Sequence, residues 1–175
     1  MASSTNPAQQ RSMLHWLWLS VIVIVLDQCT KFYFNNHFSL YEQLPVTPFF
    51  SFTLAYNTGA AFSFLSDASG WQRWFFISIA LVVSVVLIVW IRRLKSDEKL
   101  QAVALALILG GALGNVWDRI ALGHVVDFLL FYYDRYYFPA FNLADSAITL
   151  GAGLLILDMF IHPQTTDTDK DRQNS

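Results

Sequence analysis

The chain has 175 residues, enough for one domain and short for two; 55% of them are hydrophobic and mean hydropathy is +0.42. That is too apolar for a water-soluble domain, which must face water with polar groups, and six Trp, seven Tyr and fifteen Phe add rings favoured at bilayer interfaces. A net charge of −2 by itself says nothing about nucleic acid, but no basic patch for one appears, and a single cysteine, Cys29, excludes an internal disulfide and a thiolate metal cluster.

The composition is that of a membrane protein, and four segments are candidates to cross a bilayer, which takes about twenty mostly apolar residues. The first apolar run, residues 14–26, ends at Asp27. With Arg11 before it and LDQC after it, the run has the outline of a lipoprotein signal peptide. Cleavage needs small residues before the cut, and Asp27 and Gln28 are not small. The helix is therefore expected to stay in the mature chain and to run on through DQCTKFYF, spanning about 13–34. Asp27 and Lys31, four apart, share a helical face, either as an ion pair anchoring the helix or in a functional role.

Residues 35–70 form an outer segment. In FSFTLAY, Phe50, Phe52, Leu54 and Tyr56 alternate with Ser51, Thr53 and Ala55, the period of a half-buried strand. Asn57, Thr58 and Gly59 signal a turn, after which AAFSF can return as a second strand. So aromatic a face also suits a platform on the membrane surface.

Spans follow at about 71–91 and 100–118, joined by RRLKSDEK, which carries Arg92, Arg93, Lys95 and Lys99. Residues 32–70 contain no Lys or Arg, so the positive-inside rule puts the 92–99 loop and both termini in the cytoplasm. Residues 35–70 and 119–140 then lie outside. The fourth span, 141–161, is apolar apart from Asp145 and Asp158. The tail from Pro163 is polar and expected to be disordered. The fold class expected is an all-α polytopic membrane protein: four transmembrane helices with a small β-hairpin outside, residues 1–162 being one membrane-embedded domain.

Charged and polar groups in such segments pair, face the bundle interior or carry function. GGALGNVWDR gives Gly110 and Gly114 at a small-xxx-small spacing, followed by a polar stripe of Asn115, Asp118 and Arg119. The stripe suits an interhelical hydrogen-bond patch or contacts to a carboxylate or a substrate carbonyl. Asp127 and Asp145 stand eighteen positions apart, at similar depth on the outer side, and a helical hairpin over 119–141 is expected to bring them together. Two buried carboxyls in contact share a proton near neutral pH, so one can take a proton from water while the other polarises a peptide carbonyl. Spacing alone leaves alternatives open. Asp145 beside Ser146 can cap the last helix, and His124 with Asp127 can supply two metal ligands, without a third at suitable spacing. Buried aspartates also serve as carriers in non-enzymatic transport bundles.

DQCTK at 27–31, YNTGAAFSFL at 56–65, GGALGNVWDR at 110–119, GHVVDF at 123–128 and FNLADS at 141–146, in this order on a four-span chain, resemble lipoprotein signal peptidase, or signal peptidase II. The resemblance covers about residues 14–160. It implies an intramembrane aspartic endopeptidase of the bacterial cytoplasmic membrane. Such an enzyme removes signal peptides from diacylglyceryl-modified prolipoproteins, cutting before the lipidated cysteine. The matched catalytic pair is Asp127 and Asp145. Asn115, Arg119 and Asn142 match residues lining the site, Asn57 and Gly59 those of the loop over it, and Asp27 and Lys31 the polar pair of the first helix. The resemblance also implies no metal or cofactor, a β-cradle on the membrane surface, contact with membrane lipids, and inhibition by globomycin-type peptides whose hydroxyl wedges between the aspartates.

Overall fold

The structure, a computed structural model, describes residues 12–59 and 70–162. Ser12 caps a short 3-10 turn that leads into α1, Leu17–His37. The other long helices are α2, Trp71–Arg93, α3, Lys99–Ala121, and α4, Leu143–Ile161. All four are long and apolar enough to cross a bilayer. Four strands, β1 (Gln43–Thr47), β2 (Phe50–Asn57), β3 (Val125–Tyr133) and β4 (Tyr136–Tyr137), form an antiparallel sheet in the order β1-β2-β3-β4. The returning strand expected at AAFSF and the tail from Pro163 lie outside the described residues.

The helix α3 is the hub, packed against α1, α2 and α4 and the most buried of the four. Lipid tails are as apolar as leucine, so small residues and polar pairs, more than greasy contact, set helix register in a membrane. Gly110 and Gly114 both face α1. A Cβ on Gly110 would lie 2.8 Å from the Ser20 carbonyl oxygen, and one on Gly114 would lie 2.7 Å from the Asp27 carboxylate. The close approach lets the Ser20 hydroxyl donate to the Ala106 carbonyl at 2.7 Å, and seats Asp27 on α3.

Two expectations change. Residues 119–141 do not form a helical hairpin: after α3 ends, VVDFLLFYY is a strand that pairs with β2, Asp127 standing opposite Ala55. Its β-branched and aromatic residues fit a pleated surface, and the chain reverses at Asp134 (φ 53°) into β4. Asp134 and Arg135 form an exposed pair there, 3.7 Å apart. In FSFTLAY the strand is present, but Ser51 and Thr53 are buried while Phe50 and Phe52 are only half-buried and Tyr56 is exposed. β2 lies between β1 and β3, and its larger rings reach past the sheet while its small side chains are buried. Leu54 is buried as well, because the β2–β3 register shifts between Phe52 and Ala55. The sheet is fastened to α1 by Phe34, whose ring stacks on Phe128 at 4.5 Å and meets Phe52 at 5.1 Å.

Candidate active site

The site forms where β3, α3 and the start of α4 converge. Phe141 pairs with Leu129 in a β-bridge: its N–H donates to the Leu129 carbonyl at 3.0 Å, and its carbonyl accepts from Phe128 and Leu129. The bridge draws the beginning of α4 alongside β3, so Asn142 reaches Asp127. Its Nδ2 donates to Asp127 Oδ1 at 2.7 Å.

Asn142 also caps α4. Its Oδ1 accepts from the Asp145 N–H at 2.9 Å, and its own N–H donates to Asp145 Oδ2 at 3.3 Å, a reciprocal capping box. The two aspartates are therefore tied through one fully buried side chain. Asn115 closes the ring. Its Nδ2 donates to Asp145 Oδ1 at 2.8 Å, and its Oδ1 accepts from Asn142 Nδ2 at 3.3 Å and from Lys31 Nζ at 2.9 Å.

Beneath this ring lies a buried charge cluster. Lys31 Nζ is 2.8 Å from Asp27 Oδ2 and 2.9 Å from Asp118 Oδ2. Asp27 Oδ1 accepts the Ala144 N–H at 2.9 Å, an otherwise unpaired donor in the first turn of α4. Asp118 Oδ2 accepts the Val126 N–H at 3.1 Å, holding β3 one residue before Asp127. Gln28 Nε2 donates to Asp118 Oδ1 at 2.8 Å and to Asp27 Oδ2 at 3.2 Å. The cluster thus locks α1, α3, β3 and α4 into one arrangement.

Asp127 lies on the sheet, outside the helices. Burial, reinforced by the nearby Asp145 carboxylate, pushes its carboxyl up to about 7; hydrogen bonds from Asn57 and Asn142 and the Lys31 charge act against the rise. Asn57 Oδ1 also accepts the Gly59 N–H at 2.9 Å, folding the turn after β2. Gly59 has φ of 96°, and a Cβ there would lie 2.5 Å from the Phe76 ring, so the turn needs glycine for conformation and for space. Arg119 lies over the same ring, 5.4 Å from its centre, and donates from Nη1 to the Asn115 carbonyl at 3.2 Å. Its buried Nε has no partner among the described residues, and its charge acts on both aspartates. His124, a metal partner for Asp127 by spacing alone, lies instead against the Tyr56 ring, 4.1 Å between centres and tilted by 33°, and burial lowers its pKa. Among the described residues no group of three or more His, Cys, Asp or Glu side chains is placed to hold a metal ion.

Asp145 also lines a cavity of about 770 Å3 walled by Phe131, Phe138, Phe141, Thr149 and Leu150. Asp145 at the edge of an apolar hollow, linked to Asp127 through Asn142, suits acid–base chemistry on a greasy substrate. The sequence profile of Signal peptidase (SPase) II matches residues 19–161. The chain belongs to that family. It is 62% identical over 165 residues to the lipoprotein signal peptidase of Pseudomonas putida, covering 93% of this chain and 96% of the relative. With that of Pseudomonas syringae pv. tomato it shares 60% over 173 residues, covering 98% and 100%. Two solved structures of a bacterial membrane enzyme superpose with TM-scores of 0.74 and 0.75 at 31% and 30% identity. They cover 90% and 89% of this chain and 96% and 97% of their own.

Within this family member the structure gathers Asp27, Lys31, Asn57, Asn115, Arg119, Asp127, Asn142 and Asp145 into one connected region, with Gly59 shaping the turn beside it. Residue reasoning missed Gln28 and the joining role of Asp118. Asp118 was visible only as part of a helical stripe, since its bond to Val126 depends on β3. Gln28 is adjacent to Asp27 in sequence, a spacing that does not suggest a shared partner.

Proposed function

We propose that Asp127 and Asp145 are the catalytic dyad of a peptidase that removes signal peptides from prolipoproteins, cutting before the lipid-modified cysteine. Family membership supports the activity. The observation that carries the residue assignment is Asn142, which bonds both carboxyls and so links Asp127 to Asp145 at the edge of the apolar cavity.

Burial and the Asp145 carboxylate push the Asp127 carboxyl up to about 7, which supports Asp127 as the proton-bearing member of the pair. Asp145 takes a proton from water as the oxygen adds to the scissile carbonyl, and Asp127 gives its proton to the carbonyl oxygen. Collapse of the tetrahedral adduct breaks the C–N bond: Asp145 passes its proton to the leaving nitrogen, and Asp127 recovers one from the diol. Asn142 and Asn115 keep the carboxyls oriented, and the charge of Arg119 acts on both of them. The cavity beside Asp145 offers apolar walls to the substrate's acyl chains, entering from the lipid. The turn at Asn57 and Gly59 covers the site. A hydroxyl-bearing cyclic peptide of the globomycin type fits the same place, between the carboxyls.

The charges of residues 92–99 lie at the opposite end of the bundle from the dyad, which supports both termini in the cytoplasm and a site at the outer face. The test is purified protein acting on a diacylglyceryl-modified precursor peptide. Asp127→Asn and Asp145→Asn should each abolish cleavage while the protein stays folded; activity retained by either variant would sink the assignment.

A further inference from the structure

A second cavity, of about 560 Å3, opens at the end of the bundle remote from the aspartates, between the C-terminal ends of α2 and α4 and the start of α3. Trp90, Arg93, Lys95, Glu98, Gln101 and Asp158 are among the residues that line it. The acids there already have partners. Asp158 accepts from Gln101 Nε2 at 2.7 Å and lies 3.1 Å from His162 Nδ1, while Glu98 accepts the Lys95 N–H at 2.5 Å. The Arg93 guanidinium and the Lys95 ammonium have no hydrogen-bond or ion-pair partner among the described residues. Beside the cavity, a groove of about 350 Å3 follows α2 over Val85, Val86 and Val89, and shares Trp90 and Arg93 with it. From Arg93 to Val85 is about 12 Å of helix, directed toward the membrane centre.

We propose that this cavity and groove bind one anionic glycerophospholipid, its phosphate against Arg93 and Lys95 and an acyl chain along Val85, Val86 and Val89. Charge selects the headgroup: two unpaired cations favour a net negative one, whereas a choline would bring a third cation beside them. Continuity selects a lipid over a soluble anion, because the cationic cavity opens onto an exposed apolar groove. The chain's own tail, residues 163–175, carries Asp167, Asp169 and Asp171 but has no apolar stretch to fill that groove. Trp90 stands between the two parts, at the level where indoles meet headgroups.

Native mass spectrometry of the detergent-purified full chain, titrated with phosphatidylglycerol and with phosphatidylcholine, tests the proposal without substrate. One phosphatidylglycerol should be retained in preference to phosphatidylcholine. Arg93→Gln and Lys95→Gln should each weaken that binding by about fivefold (~1 kcal/mol). Arg92→Gln, on the same helix end but outside the cavity, should leave it nearly unchanged, and Val86→Trp should reduce binding of both lipids by blocking the groove. Equal losses from Arg92→Gln and Arg93→Gln would mean diffuse surface attraction and would overturn the site. So would binding that appears only after residues 163–175 are deleted, since the tail would then be the occupant.

Discussion

Lys31 is the cation on which the buried cluster depends, and Lys31→Met tests how far. The substitution keeps most of the side-chain length and removes the charge. In the wild type, Nζ serves Asp27 at 2.8 Å, Asp118 at 2.9 Å and Asn115 Oδ1 at 2.9 Å, with Lys31 only 2% exposed. Without it, two buried carboxylates face each other with Gln28 Nε2 as the one side-chain donor common to both. Breaking a buried pair by removing one partner costs about 3–5 kcal/mol, a third or more of the stability of many domains. The loss should be read from unfolding in mixed micelles titrated with SDS. Adding Asp118→Asn to Lys31→Met should recover part of it, because one uncompensated charge is then gone. The same variant has a functional signature. The Lys31 charge favours the ionised form of Asp127, so its removal should carry that carboxyl above about 7 and move the pH profile of residual cleavage toward alkaline pH. A loss below about 1 kcal/mol, the scale of an exposed pair, together with an unmoved profile, would refute the role given to Lys31.

Other consequences can be checked separately. Asp127 ionises near 7 when folded and near 3.8 otherwise, so between these values the folded state holds a proton that the unfolded chain has lost. Its contribution to stability therefore falls as pH rises from about 4 to about 7. Asp127→Asn should stabilise the protein more at pH 8 than at pH 4 in thermal unfolding; an equal shift at both would contradict the raised pKa. Asn142→Ala removes the cap of α4 and a donor to Asp127. It should cost about 1 kcal/mol of stability but about 100-fold or more in cleavage rate, and proportionate losses would reduce Asn142 to a cap. Gly59→Ala places a Cβ against Phe76 at a positive φ; it should destabilise by about 1 kcal/mol or more and lower activity by displacing the ring under Arg119. Full activity would show that the turn tolerates the change.

Much of this was legible in the sequence because the membrane imposes simple rules. Long apolar runs had to be helices, and the few ionisable groups within them had to meet one another. The sheet was harder to read. VVDFLLFYY, apolar apart from Asp127, fits a strand or a helix, and only its pairing with β2 and the bridge at Phe141 decide between them. In FSFTLAY the period was visible but the burial of its two faces was not, since that depends on strands supplied by distant residues. At the dyad, the two readings of Asp145, helix cap and functional carboxylate, were alternatives at the level of spacing. In the structure the capping box and the link to Asp127 run through the same asparagine.

That sharing bears on the order in which the molecule becomes competent. Asn142 and Asp145 enter with α4, and Asp127 gains its second amide partner, after Asn57, only when that helix is capped and docked on the Asp27 carboxylate. A nascent chain that has reached the end of β3 carries Asp127 but neither Asn142 nor Asp145. On the assignment proposed above for Asp127 and Asp145, proteolytic capacity arrives only with completion of the bundle.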